Sequence, residues 1–337
     1  MPKRLTLLLL LISASPAAAG ENAETVADWV ASALSGKPKV LAPGVHVVKE
    51  PIVLDGVHSL KLEGPSRTLM DPVGWGRAWW AGNKGRACII CFDLPEGEAG
   101  IQMVGCRAIE LKGVNLCRTT PGCLVTDQNA KGRNSGDHTF VDCGFYHRTR
   151  APDAGIADPL GGLGLGENNG KYGLGVYGDN GCDNYAFVDC VFQNLERGID
   201  LDCPQTTRMI FVRTHWRRCG LMGYFKRSGN ITCYSCARYS GGPFVLEQCP
   251  SALTSVTWIG GWIDTNRKTA DAVGMEPLVD FSRNPTGRLR LVGGNGRKLG
   301  NLAEGVTSPP LIVPPKNRDK LDVSIHGQWS ESQALLP

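Results

Sequence analysis

The segments FVDCGF (140–145) and FVDCVF (187–192) differ at one position, and each is entered from polar, turn-forming residues. A chain that writes the same apolar hexad twice points to a repeating fold, in which each unit buries its apolar face against its neighbours. With Phe-x-x-Cys-x-Phe as template, LKGVNL (111–116), FVRTHW (211–216), CYSCAR (233–238) and TWIGGW (257–262) fall into line. Their starts are separated by about 29, 47, 24, 22 and 24 residues, and the 47 reads as two periods. A second motif interleaves with the first: GCLVTD at 122, GLGVYG at 173, GIDLDC at 198, GLMGYF at 220 and GGPFVL at 241. Each opens on Gly and then alternates apolar residues.

Two short strands per period of about 24 residues, with no helical periodicity between them, is the pattern of a parallel β-solenoid. Neighbouring strands lie about 4.8 Å apart, so like side chains stack on like. Leu111, Phe140, Phe187 and Phe211 are expected to form one inward column, and Phe145, Phe192, Trp216 and Trp262 another. Cys143, Cys190 and Cys236 form a small-residue ladder at the bend.

The remaining chain fits this plan. Lys3 and Arg4, the apolar run Leu5–Ile12 and SPAAAG read as a secretory leader over residues 1–19, too short to span a bilayer. The expected product is secreted or periplasmic. Residues 20–38 are assigned to a capping helix, with Val26, Trp29, Val30, Ala33 and Leu34 at helical spacing over 22–35. Residues 39–300 are assigned to the solenoid, with a Gly-rich insertion at 151–172. A Pro-rich connector, one last strand in LDVSIHGQW and a polar tail occupy 301–337.

Composition excludes several classes of function. The formal charge is +4, falling to about +2 without the leader's basic pair, and no Lys/Arg run appears, so no nucleic-acid partner is expected. GLGLGENNG lacks the spacing of a dinucleotide fingerprint, and HExxH, GxSxG and Walker patterns are missing from the sequence. Thirteen cysteines suit an exported chain, but Cys88/Cys91 and Cys233/Cys236 lack the second pair of a zinc ribbon. Buried thiols with a few disulfides are expected, and no metal ligand is assigned.

An N-terminal helix, a LAPGVHVV entry, a SLKLEGP strand and coils ending in C-x-F together resemble the right-handed parallel β-helix proteins of the pectin-lyase-like superfamily, over roughly residues 22–300. The resemblance implies an all-β, right-handed parallel β-helix with a short N-terminal capping helix. It also implies an extracellular polysaccharide as partner. The superfamily includes lyases, hydrolases, epimerases and non-catalytic surface proteins, so activity has to be argued from outward-facing residues.

In the expected register Asp200 and Asp202 of GIDLD point outward, with Tyr177 one coil before and Tyr224 and Lys226 one coil after. Carboxylates two residues apart sit about 6.5–7 Å apart at the backbone, a separation that suits the acid and base of an inverting glycosidase. A lyase instead needs a base, from Lys226, Tyr224 or His215, and a group to neutralise a uronate, from Arg213, Arg217 or a Ca²⁺ held by Asp200 and Asp202. Tyr177, Arg213 and Arg217 are the candidate substrate contacts. Asp189 with Arg213 also makes a natural cross-strand ion pair. Trp75, Trp79 and Trp80 offer sugar-stacking faces or packing. Two functions stay open: cleavage of a polysaccharide by an enzyme centred on Asp200, Asp202, Tyr224 and Lys226, or non-catalytic binding or adhesion through the same exposed residues.

Overall fold

The computed structural model describes residues 23–65, 88–118, 120–130, 132–147, 171–206, 208–264, 277–296 and 311–327. The leader, Trp75, Trp79, Trp80, nearly all of the Gly-rich insertion and the C-terminal tail from 328 lie outside the described residues, as does most of the connector. Three nine-stranded sheets carry the chain, and each strand pairs with the one three places later in sequence. We call them A, B and C. A coil passes from B to C to A and re-enters B one layer on, with every strand of the three sheets paired in parallel, which makes the molecule a parallel β-helix.

Each coil has three strands where the sequence suggested two. The hexad is not one strand but a corner: Phe187 and Val188 close the sheet A strand Cys182–Val188, and Val191 opens the sheet B strand Val191–Gln193. Its third residue takes the left-handed conformation, with φ of 53° at Asp142, 56° at Asp189, 47° at Arg213 and 50° at Ser235. That single residue turns the chain and breaks the alternation, so two short strand ends look like one. The 47-residue interval is likewise one coil, not two, because Phe140 pairs directly with Phe187. The extra length lies at 148–170, between the strands Gly144–His147 and Lys171–Tyr177 and outside the described residues.

The inward column is confirmed as Leu111, Phe140, Phe187 and Phe211 in successive coils. Phe187 lies between Phe140 and Phe211, with ring centroids 4.9 and 5.0 Å away and planes within 14°. Phe145, Phe192 and Trp216 form the neighbouring column, stacked at 4.6 and 6.0 Å. Such pairs add about 0.5–1.5 kcal/mol each beyond the area they bury. Trp262 does not join them. Cys233 pairs with Trp258, not Thr257, which shifts that hexad by one and aligns Trp262 with Ala237, leaving Ile263 in line with Arg238.

The Cys ladder is a hydrogen-bond ladder. Cys143, Cys190, Thr214 and Cys236 occupy one seat at the A–B corner, all buried. Each donates to a carbonyl of the coil before: Cys143 to Leu111 at 3.2 Å, Cys190 to Phe140 at 3.4 Å, Thr214 to Phe187 at 3.1 Å and Cys236 to Phe211 at 3.3 Å. The seat wants a small side chain with one donor, which thiol and hydroxyl both supply. All thirteen cysteines are buried free thiols, without the few disulfides expected.

Helix α1 (Ala23–Leu34) packs Val26, Trp29 and Ala33 into the main core, and the Trp29 indole donates to Glu63 O at 3.0 Å. At the other end, LDVSIHGQW supplies the strand Leu321–His326, paired with Gly287–Val292. Val40, ahead of the LAPGVHVV entry, makes only an isolated bridge to Glu63.

Candidate functional site

Sheet C brings Tyr177, Asp200, Asp202, Tyr224 and Lys226 together. Asp200 pairs with Gly175 in the coil before and Tyr224 in the coil after, while Tyr177, Asp202, Lys226 and Glu247 run in register through four coils. Strand alternation turns Ile199 and Leu201 into the core, so Asp200 and Asp202 face out. Gly175 matters here because a side chain on it would collide with the Tyr177 ring, at 2.6 Å from the nearest ring atom. Its absence lets Tyr177 fold back along the sheet.

Every carboxylate in this lattice is already engaged. Asp200 accepts from Tyr177 OH at 2.8 Å and from Arg197 Nη1 at 2.6 Å, and its side chain is only 14% exposed. Asp202 accepts from Lys226 Nζ at 3.3 Å and from Arg227 Nε. Glu247 accepts from Tyr224 OH and lies 3.5 Å from Arg283 Nη1. Arg197 is the hub. Its guanidinium lies 5.2 Å from the ring centre of Tyr172 and 4.5 Å from that of Tyr224 while holding Asp200.

The electrostatics push both tyrosines away from acting as bases. Burial, then Cys123 and Asp200, raises the Tyr177 pKa far above that of a free phenol. Burial and the hydrogen bond to Glu247 raise that of Tyr224. Burial works against the Arg197 charge, but the hydrogen bond and charge of Asp200 outweigh it and its pKa rises. The lattice is therefore a set of paired charges and protonated phenols.

The other three candidates lie elsewhere. His215 and Arg217 stand on sheet B, in line with Val191 and Gln193 of the coil before. His215 lies 5.7 Å from the Tyr239 ring, and the Arg217 guanidinium sits 4.7 Å from that ring's centre. Burial first, then Arg217, lowers the His215 pKa to about 4, against a smaller pull from Asp189. Its imidazole is neutral at pH 7, yet it belongs to a different sheet from the carboxylates. Arg213 occupies the corner between sheets A and B, which sheet C does not share. It grips Asp189 with two bonds of 2.6 Å, the ion pair expected from the hexad register.

Sequence reasoning missed the partners that define the lattice: Arg197, Tyr172, Arg227, Glu247 and Arg283. Arg197 stood three residues before Asp200 in RGIDLD, and a search for the cation of each outward acid would have found it. A second polar cluster was also missed, this one inside the core. Asp127 occupies an inward position between Met103 and Val176 and is fully buried. Tyr185 OH donates to it at 2.5 Å, Ser135 Oγ also donates to it, and His138 Nε2 lies 3.0 Å away. Ile109 N–H donates to His138 Nδ1 at 3.1 Å, which leaves the ring proton on Nε2. Asp137, His138, Thr139, Asn184, Tyr185, Ala186, Arg208 and Ile210 line a depression of about 300 Å³ on sheet A, a different sheet from the one that carries the lattice.

Calcium needs six to eight oxygen ligands. Asp200 and Asp202 spend theirs on Tyr177, Arg197, Lys226 and Arg227, and among the described residues no group of three or more His, Cys, Asp or Glu side chains gathers. Among the same residues no helix is long and apolar enough to cross a membrane. Comparison with protein-family models, curated proteins and solved structures finds no match.

Proposed function

We propose that this is an exported polysaccharide-binding β-helix protein of the pectin-lyase-like kind, which seats an extended saccharide on sheet C without cleaving it. The observation that carries this reading is the pairing of the lattice: Asp200, Asp202 and Glu247 each already hold a cation and, in two cases, a tyrosine hydroxyl. Hydrolysis needs one carboxylic acid ready to give its proton and one carboxylate ready to take another. Asp200 and Asp202 are both paired with cationic side chains in the same way, which gives no such division of roles. Elimination needs an unprotonated base beside a neutralising group, and the neutral imidazole of His215 is on sheet B.

Binding asks less of the same residues. Tyr172, Arg197 and Tyr224 present aromatic and guanidinium surface, and Lys226 and Arg227 present donors to hydroxyl or carboxylate groups. The pattern changes row by row at about 4.8 Å per coil, so a polymer laid along the solenoid meets new partners at each step. A leader-directed, secreted or periplasmic location suits such a partner.

The test is a screen of purified protein on acidic and neutral polysaccharides, with and without Ca²⁺. It follows column retention, unsaturated-uronate absorbance and new reducing ends together. Retention without products is expected. Absorbance with reducing ends would make the protein a lyase and reducing ends alone a hydrolase, and either would overturn the binding reading.

A further inference from the structure

The outer face of sheet A carries two rows that run along the solenoid. In the first, Val141, Val188, Val212, Tyr234, Ile259 and Val292 hold one register position in successive coils. In the second, Thr139, Ala186, Ile210, Thr232 and Thr257 do the same. Strand alternation turns Phe187, Phe211 and Trp258 into the core, so both rows face out. All of these side chains are partly exposed, Tyr234 the most at 42%. Scattered apolar residues on a surface are ordinary, but an unbroken row about 24 Å long marks a contact face. Apart from the Tyr234 hydroxyl the first row has no polar side-chain atom, so it lacks the donors and acceptors that a saccharide needs.

Charge is distributed unevenly along the same rows. The first begins with Glu63 and Lys112 and ends at His326; the second begins with Lys61 and Glu110 and ends with Arg290 and Ser324. Acids thus occur at the N-terminal end alone. Glu63 and Glu110 have cations at 2.7 and 3.3 Å, whereas the exposed Arg290 makes no ion pair among the described residues.

We propose that this face joins a second copy of the chain in a twofold dimer, sheet A against sheet A, with the solenoid axes antiparallel. The fifth of the nine strands, Met209–Val212, lies at the centre. A half-turn about the direction of that strand keeps each row opposite itself and reverses the order of the coils. Val141 then faces Ile259 of the second copy, Val188 faces Tyr234, and Val212 faces its own counterpart. Glu110 faces Arg290 and Glu63 faces His326, each twice, as an isologous contact requires. Moving the dyad half a coil one way sets Lys112 against His326, and the other way Lys61 against Arg290; neither register pairs an acid with a base.

Shape agrees with charge. The depression at Thr139, Ala186 and Ile210 lies in this face beside Val188, where Tyr234 of the second copy arrives. Nine strands about 4.8 Å apart and a width of about 15 Å give on the order of 600 Å² per copy, roughly 1,200 Å² in all, the lower end for a specific interface. Arg208, exposed and next to Met209, also brings like charges near the dyad. The dimer is therefore reversible. This inference does not rest on the saccharide reading; taken with it, the dimer carries two sheet C lattices and binds bivalently.

The experiment is sedimentation equilibrium of the purified protein from about 1 to 100 µM. A monomer–dimer equilibrium is expected, weakened at least about tenfold by Val212→Lys, which puts two ammonium groups on the dyad, and tightened by Arg208→Gln. Glu110→Arg and Arg290→Glu should each weaken it, and the double variant should restore it. The two positions are six coils apart in one chain, so rescue reports a contact between copies. A monomer at every concentration, a dimer indifferent to Val212→Lys, or a double variant no tighter than the single ones would overturn the proposal. A monomeric wild type whose retention on polysaccharide is lost with Val212→Lys would give the face to a saccharide instead.

Discussion

Asp127 is the residue whose replacement tests most sharply how this core is held. It sits in a column that is apolar in the coils on either side, Met103 and Val176, and it is tolerated there because two hydroxyls donate to it and His138 Nε2 lies 3.0 Å away. Asp127→Ala leaves Tyr185 OH without that acceptor, while Ser135 keeps its bond to Cys106 O at 2.9 Å. Leaving a buried hydroxyl donor unsatisfied in this way costs about 1–3 kcal/mol. Tyr185→Phe leaves a buried oxygen of Asp127 without its donor and should cost about 1.5–3 kcal/mol. Once Asp127 is gone the Tyr185 hydroxyl has nothing left to lose, so the double variant should be no less stable than Asp127→Ala alone. The coupling energy is then of the size of the Tyr185→Phe effect, about 1.5–3 kcal/mol. Urea unfolding of the four proteins, at constant slope, gives all the terms. Additive losses, or an Asp127→Ala loss below about 1 kcal/mol, would refute the view that one carboxylate organises this cluster.

Other consequences follow from particular contacts. Phe187→Ala, which removes the ring between Phe140 and Phe211, should lower unfolding stability by about 3–5 kcal/mol. Cys190→Thr should change it by less than about 1 kcal/mol, because Thr214 fills the same seat one coil on and makes the same bond. His215 binds its proton less tightly folded than unfolded, so its contribution is complete above about pH 6.5, declines as the pH falls toward about 4 and levels off below that. The span is at most about 3 kcal/mol, and in urea titrations His215→Gln should flatten that segment of the wild-type stability curve.

Much of this architecture was legible because a solenoid repeats its environment. The Phe columns and the Cys seat recur in sequence since each coil presents the next with the same surroundings. The register of Tyr177, Asp202 and Lys226 followed from that recurrence and is observed. The third strand was hidden by the left-handed residue at Asp142, Asp189, Arg213 and Ser235, where one corner residue interrupts the period of two. Trp262 was misplaced because Gly260 and Gly261 carry no side chain to mark which residue turns. Asp200 and Asp202 were recognisable as outward acids, but their pairing was not, since it depends on how Arg197 and Arg227 fold back over the sheet. Asp127 was unreadable as a core residue for a similar reason: its donors Ser135 and Tyr185 lie 8 and 58 residues away.

The sheet C lattice, with Arg197 at its hub, is the proposed saccharide-binding surface. Its most direct test is a binding isotherm, on whichever polysaccharide retains the wild type, for Arg197→Ala beside Arg213→Ala. Arg197 supplies charge-assisted hydrogen bonding of about 1.5–3 kcal/mol, so its loss should weaken binding by roughly 10- to 100-fold. Arg213→Ala, on the A–B corner, should bind as the wild type does. Equal affinity for all three proteins, or a loss confined to Arg213→Ala, would contradict the assignment.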